Sequence, residues 1–152
     1  MNIIKFSLIA LILFVSHTCG YGSSQNTEIK TGAERTDVYV PKLKGKKAGV
    51  VVNQTSLICN THIVDSLLSL GINIMKIFSP EHGYKGKAEA GETYSDSVLT
   101  KHNIEIISLY GNKIKPETED LTGIDIIVFD IQDVGARFYT YISTLHYIME
   151  AC

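Results

Sequence analysis

Two segments of the sequence combine residue types that can carry out polar chemistry. One segment, residues 79–86, reads S-P-E-H-G-Y-K-G and places a carboxylic acid, Glu81, next to an imidazole, His82. The other, residues 130–141, reads D-I-Q-D-V-G-A-R-F-Y-T-Y and carries two carboxylic acids, an amide, a guanidinium group and aromatic rings. Carboxyl groups transfer protons, and amide and guanidinium groups make directional hydrogen bonds to hydroxyl and carboxylate groups. These residue types together predict a site for a polar small molecule or a glycan.

An alternation of strands and helices is expected to hold these segments. Apolar runs predict four buried strands, at residues 47–53, 72–78, 104–109 and 124–130. Helical patterns lie between or after them: one helix capped by Asn60 and closed by Gly71, a short one begun by Pro116 and ended by Gly123, and a last one from Phe138. This alternation predicts a doubly wound α/β fold with a mainly parallel sheet and helices on both faces.

The carboxyl ends of the predicted strands bring the polar residues to one edge. Asn53, Glu81 with His82, Tyr110 and the cluster at 130–139 each follow a different strand. In open parallel sheets, ligands bind just outside the carboxyl ends of the strands. Glu81 also opens a connection of about 25 residues, which is longer than the roughly 12–15 residues usual for a loop without function. We therefore expect the site at this edge.

The first 19 residues are predicted to be an export signal. Lys5 precedes an apolar run at residues 6–15, and small polar residues follow. The run is shorter than the roughly 20 apolar residues that span a membrane. Cleavage would leave either an ordinary secreted chain or a lipoprotein attached to the membrane through a lipidated Cys19. We expect a periplasmic or extracellular location, a polar tether at residues 20–41 and a domain at 42–152.

Composition excludes some other classes. The chain carries 14 basic and 16 acidic residues, a net charge of −2, which gives no basis for nucleic-acid binding. Neither G-x-G-x-x-G nor G-x-x-x-x-G-K-[ST] occurs, so a nucleotide-binding enzyme is not favoured. Cys59 and Cys152 have no metal-type spacing and are expected to be unpaired and buried. No metal and no cofactor is expected.

Five strings in the sequence closely resemble one family. They are N-Q-T-S at 53–56, S-P-E-H-G-Y-K-G at 79–86, A-G-E at 90–92, S-L-Y-G at 108–111 and D-I-Q-D-V-G-A-R-F-Y-T-Y at 130–141. In this order they resemble the NamZ-type exo-β-N-acetylmuramidases, a family of exported bacterial glycosidases. The resemblance covers about residues 42–152, and residues 99–103 depart from the pattern.

The resemblance implies both a fold and an activity. It implies a Rossmann-like amino-terminal domain that packs on a second domain, with the active site in the cleft between them. The activity would be release of N-acetylmuramic acid from the non-reducing end of peptidoglycan fragments. Glu81 would be the catalytic acid. The residues expected to bind the muramic-acid glycan are His82, Asn53, Gln132, Asp133, Arg137 and Tyr139. A second, carboxy-terminal domain is not part of the sequence, so we expect one domain of two.

Several roles stay open at this stage. Arg137 can pair with Asp133, or it can hold the lactyl carboxylate of the sugar. Tyr139 and Tyr141 differ by two positions on a predicted helix, so only one is expected to face the site. The partner of the acid can be Asp133, Asp130, a residue outside this chain or the acetamido oxygen of the substrate. The alternative function is a non-catalytic glycan-binding module.

Overall fold

The computed structural model describes residues 29–86, 97–99 and 102–152, with the backbone alone for residues 97–99. Some predictions therefore lie outside the described residues. These are the export signal with Cys19, the first part of the tether and the A-G-E string.

One mixed sheet forms the centre of the domain. In chain order the strands are β1 (Lys47–Val52), β2 (Leu57–Ile58), β3 (Thr61–His62), β4 (Asn73–Ser79), β5 (Ser97–Leu99), β6 (Ile104–Ser108) and β7 (Ile126–Asp130). Five of them form the sheet, in the order β5-β6-β4-β1-β7, while β2 and β3 form a separate antiparallel hairpin. β1, β4, β6 and β7 run parallel, and β5 runs antiparallel to β6. Four strands therefore end at the same edge of the sheet.

Helices cover both faces of this sheet. They are α1 (Thr36–Leu43), α2 (Ile63–Ser69), α3 (Thr118–Leu121) and α4 (Tyr141–Ala151). Val50 of β1 faces α1 and α2 in one buried cluster. Val51, the next residue, points to the opposite face and packs in a second cluster with Ile148 of α4. Because successive side chains of a strand point to opposite faces, β1 contributes to both cores. The predicted doubly wound α/β fold is confirmed.

The central position of β1 depends on a small residue. Gly49 lies between its two parallel neighbours, and a methyl group there would come within 2.6 Å of Ile127 and 3.2 Å of Phe78. The close packing of these side chains across the sheet therefore requires glycine at this position.

The beginnings of two helices differ from the sequence prediction. Asn60 does not cap α2, because residues 57–62 form the β2–β3 hairpin; the capping residue is His62, whose Nδ1 accepts a hydrogen bond from Val64 N at 3.3 Å. α4 begins at Tyr141 rather than at Phe138, whose side chain is 84% exposed. For α4, the spacing of apolar residues correctly indicated a helix but did not locate its first turn.

The packed domain also begins earlier than predicted. α1 starts at Thr36, inside the range assigned to the polar tether, and buries Val40 and Leu43 in the core. Its two buried side chains are four and seven positions after the first residue of the helix, which is helical spacing. The pattern is too short to stand out among the polar residues around it.

The short helix α3 agrees with its prediction. Pro116 is buried just before the capping residue Glu117, which forms a reciprocal capping box with Asp120. Gly123 follows the helix in the left-handed region, with φ of 78°.

The two cysteines of the described chain are unpaired, as predicted, but both are exposed rather than buried. Cys59 lies in the turn of the β2–β3 hairpin, where it faces solvent.

Within the described ranges, every helix falls short of the length and apolar character needed to cross a membrane.

Candidate active site

Glu81 lies directly beyond the carboxyl end of β4. Its position is fixed by a tight turn in which Gly83 N donates a hydrogen bond to Pro80 O at 3.0 Å. His82, inside this turn, has φ of 72°, a conformation that costs a non-glycine residue roughly 1–2 kcal/mol. Leu109 N donates to Ser79 O at 2.7 Å and continues the pairing of β4 with β6. Strained backbone of this kind occurs preferentially at functional sites.

Tyr84 anchors the loop that carries Glu81. Its hydroxyl lies 3.1 Å from Nδ1 of His62, and the two rings are 4.6 Å apart. Because Nδ1 accepts the Val64 N–H, the proton of the neutral imidazole belongs on Nε2, which donates to Asn53 O at 3.0 Å. Burial lowers the pKa of His62 and raises that of Tyr84 to about 12. Both groups are therefore uncharged near neutral pH.

The N-Q-T-S segment joins the ends of β1 and β7. Asn53 is fully buried, and its Oδ1 accepts hydrogen bonds from Thr55 N at 2.9 Å and Thr55 Oγ1 at 2.7 Å. Ser56 donates its hydroxyl hydrogen to the carbonyl oxygen of Asp130. Gln132 N in turn donates to Thr55 Oγ1 at 3.3 Å. These bonds hold the start of the 130–141 segment against the end of β1.

A pocket of about 240 Å³ brings the two chemistry-bearing segments together. The described residues that line it are Glu81, His82, Phe138, Tyr139, Thr140 and Tyr141. Thr140 Oγ1 lies 3.5 Å from Glu81 Oε2, so the two segments meet at the carboxylate. We name this the Glu81 pocket. It combines a carboxylate, an imidazole and phenol groups, which can exchange a proton with a ligand and hydrogen-bond to hydroxyl groups.

Tyr139 and Tyr141 both line the Glu81 pocket, which corrects the prediction that only one would. Tyr139 lies in the turn before α4, so helical spacing does not apply to the pair, and the two rings are 6.3 Å apart. Tyr141 is 8% exposed. Burial raises its pKa, the side chain of Asn53 lowers it, and the charge of Glu81 raises it further. Phe138, Thr140 and Tyr141 line the pocket without having been among the predicted site residues.

Asn53 is linked to the Glu81 pocket through Tyr141. Among the described residues its amide nitrogen has no partner at normal hydrogen-bond geometry, although the side chain is close enough to act on the pKa of Tyr141. Buried and capping a turn, Asn53 is placed to support Tyr141 rather than to contact a ligand directly.

Three predicted sugar-binding residues lie outside the Glu81 pocket. Gln132, Asp133 and Arg137 are exposed on the connection between β7 and α4. Asp133 Oδ2 accepts a hydrogen bond from Gly135 N at 3.3 Å. Within the part of the chain that the structure describes, no ion pair joins Arg137 to Asp133. Arg137 is the neighbour in sequence of Phe138, which lines the pocket.

Asp130 belongs to a different environment. It lines a separate cavity of about 200 Å³ together with Tyr39 of α1 and Ile63 of α2. Burial raises the pKa of Asp130. This carboxyl group therefore lies at the end of β7 and outside the Glu81 pocket.

Another pocket, of about 350 Å³, adjoins the Glu81 pocket. It lies beyond the end of β6, where Leu109 and Tyr110 of the S-L-Y-G string face residues of α4, and Thr140 lines both pockets.

Fold and site together define the class of protein: a doubly wound α/β domain with an acid-bearing polar pocket at the carboxyl ends of its strands. Residues 48–152 match the family described as exo-beta-N-acetylmuramidase NamZ, N-terminal. The chain belongs to this family.

Individual relatives agree with this membership. The chain is 38% identical over 156 aligned positions to the peptidoglycan beta-N-acetylmuramidase NamZ of Bacillus subtilis (strain 168), covering 95% of this chain and 37% of that protein. Crystal structures of two DUF1343 family proteins from Bacteroides fragilis NCTC 9343 are also similar. The first has a TM-score of 0.67 and 39% sequence identity, and the match covers 80% of this chain and 30% of that protein. The second has a TM-score of 0.63 and 34% sequence identity, and the match covers 76% of this chain and 29% of that protein. The chain thus spans about a third of the length of these relatives.

Proposed function

We propose that this chain is the acid-bearing domain of an exported glycosidase that releases N-acetylmuramic acid from the non-reducing end of peptidoglycan fragments. The observation that carries the proposal is the Glu81 pocket, where the carboxylate of the P-E-H-G string lies among an imidazole and two phenols. Membership of the NamZ family supports the same activity, as does the similarity to the peptidoglycan beta-N-acetylmuramidase of Bacillus subtilis.

Glu81 serves as the general acid in this proposal. It donates its proton to the glycosidic oxygen while the bond from that oxygen to the anomeric carbon breaks. The leaving sugar departs with a free hydroxyl group. Water then supplies the hydroxyl of the released N-acetylmuramic acid and the proton that restores Glu81, so that the reaction is a balanced hydrolysis.

In this proposal, the group that stabilises the anomeric carbon comes from outside the described residues that line the Glu81 pocket. Glu81 is the one carboxylate among the described residues that line its pocket, and Asp130 faces another cavity. The remaining candidates are Asp133 of the exposed β7–α4 connection, a residue outside this chain, and the acetamido oxygen of the substrate.

Arg137 is proposed to bind the lactyl carboxylate that distinguishes N-acetylmuramic acid from other amino sugars. Its side chain is exposed, it precedes Phe138 of the pocket lining in sequence, and a guanidinium group binds a carboxylate with two parallel hydrogen bonds. His82, Tyr139 and the exposed Gln132 are proposed as hydrogen-bonding partners of the sugar hydroxyl and acetamido groups. Export to the periplasm or cell exterior, with or without a lipid on Cys19, fits a substrate that lies there.

The proposed acid is tested by Glu81→Gln in the natural protein that carries this sequence. The substitution keeps size and hydrogen bonding but removes the transferable proton. We expect kcat for a chromogenic N-acetylmuramic acid glycoside to fall at least about 100-fold. Glu119→Gln, at an exposed glutamate of α3 on the surface, is the matched control and retains turnover.

Near-normal turnover by Glu81→Gln would remove Glu81 from the mechanism. Binding of the glycan by the unaltered protein without any turnover would instead support the glycan-binding module.

A further inference from the structure

The pocket beyond the end of β6 has a composition that differs from that of the Glu81 pocket. One wall is formed by Leu109, Tyr110 and Ile114. The facing wall comes from α4, where Ser143, Thr144 and Tyr147 join Thr140 in the lining. We name it the Tyr110 pocket.

The spacing along α4 explains the facing wall. Positions 140, 143, 144 and 147 are separated by three, one and three residues, so they form one stripe on the helix surface. The stripe carries three hydroxyl residues and then an aromatic ring. Thr144 is buried and donates its hydroxyl to Thr140 O at 3.3 Å, whereas Thr140 and Ser143 are exposed. Hydroxyl groups and aromatic faces side by side match a pyranose, which has polar edges and apolar faces.

The two pockets meet at the proposed acid. Thr140 lines both, and its hydroxyl is 3.5 Å from Glu81 Oε2. A general acid must reach the oxygen between the two sugars of the bond that it cleaves. A glycosidic oxygen placed at Glu81 therefore has one sugar in the Glu81 pocket and the other in the Tyr110 pocket.

Charge decides which sugar occupies which pocket. Among the described residues, those that line the Tyr110 pocket are all uncharged. The two lysines that flank Ile114 in sequence are paired with carboxylates: Lys113 with Asp120 at 3.1 Å and Lys115 with Glu150 at 3.2 Å. The lactyl carboxylate of N-acetylmuramic acid would have no cationic partner among the described lining residues, whereas Arg137, its proposed partner, directly precedes Phe138 of the Glu81 pocket in sequence. The neutral sugar belongs in the Tyr110 pocket.

We infer that the Tyr110 pocket binds the neutral N-acetylamino sugar on the leaving-group side of the cleaved bond. This inference rests on the proposed function and adds the second half of the substrate to it. It also gives the S-L-Y-G string, which the Glu81 pocket leaves unused, a place in recognition.

The test is a substitution that fills the Tyr110 pocket without touching Glu81. Ser143 is exposed, so Ser143→Leu adds volume at the pocket wall without disturbing the core. We compare two substrates in the natural protein: the disaccharide of N-acetylmuramic acid linked to N-acetylglucosamine, and β-N-acetylmuramyl fluoride, whose leaving group is a single atom. Ser69→Leu, the same change at an exposed helical serine of α2 on the opposite face, is the control.

The expected result is a loss of at least about tenfold in kcat/KM for the disaccharide with Ser143→Leu and no change for the fluoride. Ser69→Leu leaves both unchanged. Equal cleavage of the disaccharide by Ser143→Leu and the unaltered protein, or an equal loss on both substrates, overturns the inference while the proposed function stands. Failure of the unaltered protein to cleave either substrate overturns the proposed function, and the inference with it.

Discussion

At the scale of single residues, the site depends on groups that stay uncharged near neutral pH beside one carboxylate. Tyr141 is nearly buried, and its pKa is raised by burial and by the charge of Glu81. It therefore keeps its proton and can donate a hydrogen bond to a ligand oxygen or to Glu81. A neutral hydrogen bond of this kind is worth roughly 0.5–1.5 kcal/mol.

Tyr141→Phe removes this donor while keeping the ring. We expect kcat/KM for an N-acetylmuramic acid glycoside to fall up to about tenfold, measured by initial rates. Tyr39→Phe is the control, because it also removes a hydroxyl hydrogen bond, to Ala33 O at 2.7 Å, but on the other face of the sheet. An unchanged kcat/KM for Tyr141→Phe, or an equal loss in both variants, would contradict a role for this hydroxyl.

The site residues could be predicted from the sequence where they follow the carboxyl end of a predicted strand. Glu81, His82 and Tyr139 share a pocket because each follows a strand end, or the turn after it, at one edge of the sheet. The prediction that only one of Tyr139 and Tyr141 faces the site was wrong because it placed the start of α4 three residues early, at Phe138 rather than Tyr141. The contact of Tyr84 with His62 joins positions 22 residues apart, and no local pattern reports such a contact.

At the scale of elements, His62 links the Glu81 loop to α2. Its Nδ1 caps α2 by accepting the Val64 N–H, which requires an unprotonated Nδ1, and it also lies 3.1 Å from the Tyr84 hydroxyl. Burial lowers the pKa of His62 from 6.5, against the weaker opposing effects of the hydrogen bond to Asn53 and the charges of Asp65 and Asp130. The unfolded chain therefore binds this proton more readily than the folded one does.

The sign of the pH dependence follows. The contribution of His62 to stability is fully present above about pH 6.5 and is lost as the pH falls toward its lowered pKa. We expect the Tm to fall more between pH 7.5 and 5 in the unaltered protein than in His62→Asn, which cannot be protonated. Asp130, whose pKa is raised by burial, acts in the opposite direction; the charge of His62 lowers the pKa of Asp130, so the removal of that charge in His62→Asn increases this opposing effect and reinforces the expected difference. An identical fall in both would exclude His62 as the titrating group.

At the scale of the whole molecule, the parallel core of the fold was predictable and its borders were not. Runs such as K-A-G-V-V-V specify a strand buried on both faces, and four such runs specify the parallel sheet. The order of the strands and the antiparallel pairing of β5 depend on contacts between distant segments. Ile142 and Met149 are two apolar residues of α4, yet they are 59% and 69% exposed, which local spacing alone does not reveal.

The most direct test of the central claim is to identify the released sugar. Purified peptidoglycan fragments that carry N-acetylmuramic acid at the non-reducing end are incubated with the natural protein, in parallel with fragments that begin with N-acetylglucosamine, and the products are identified by mass spectrometry. The proposed function predicts free N-acetylmuramic acid from the first set and no product from the second. Release of N-acetylglucosamine, internal cleavage of either set, or no reaction with the first set would contradict it.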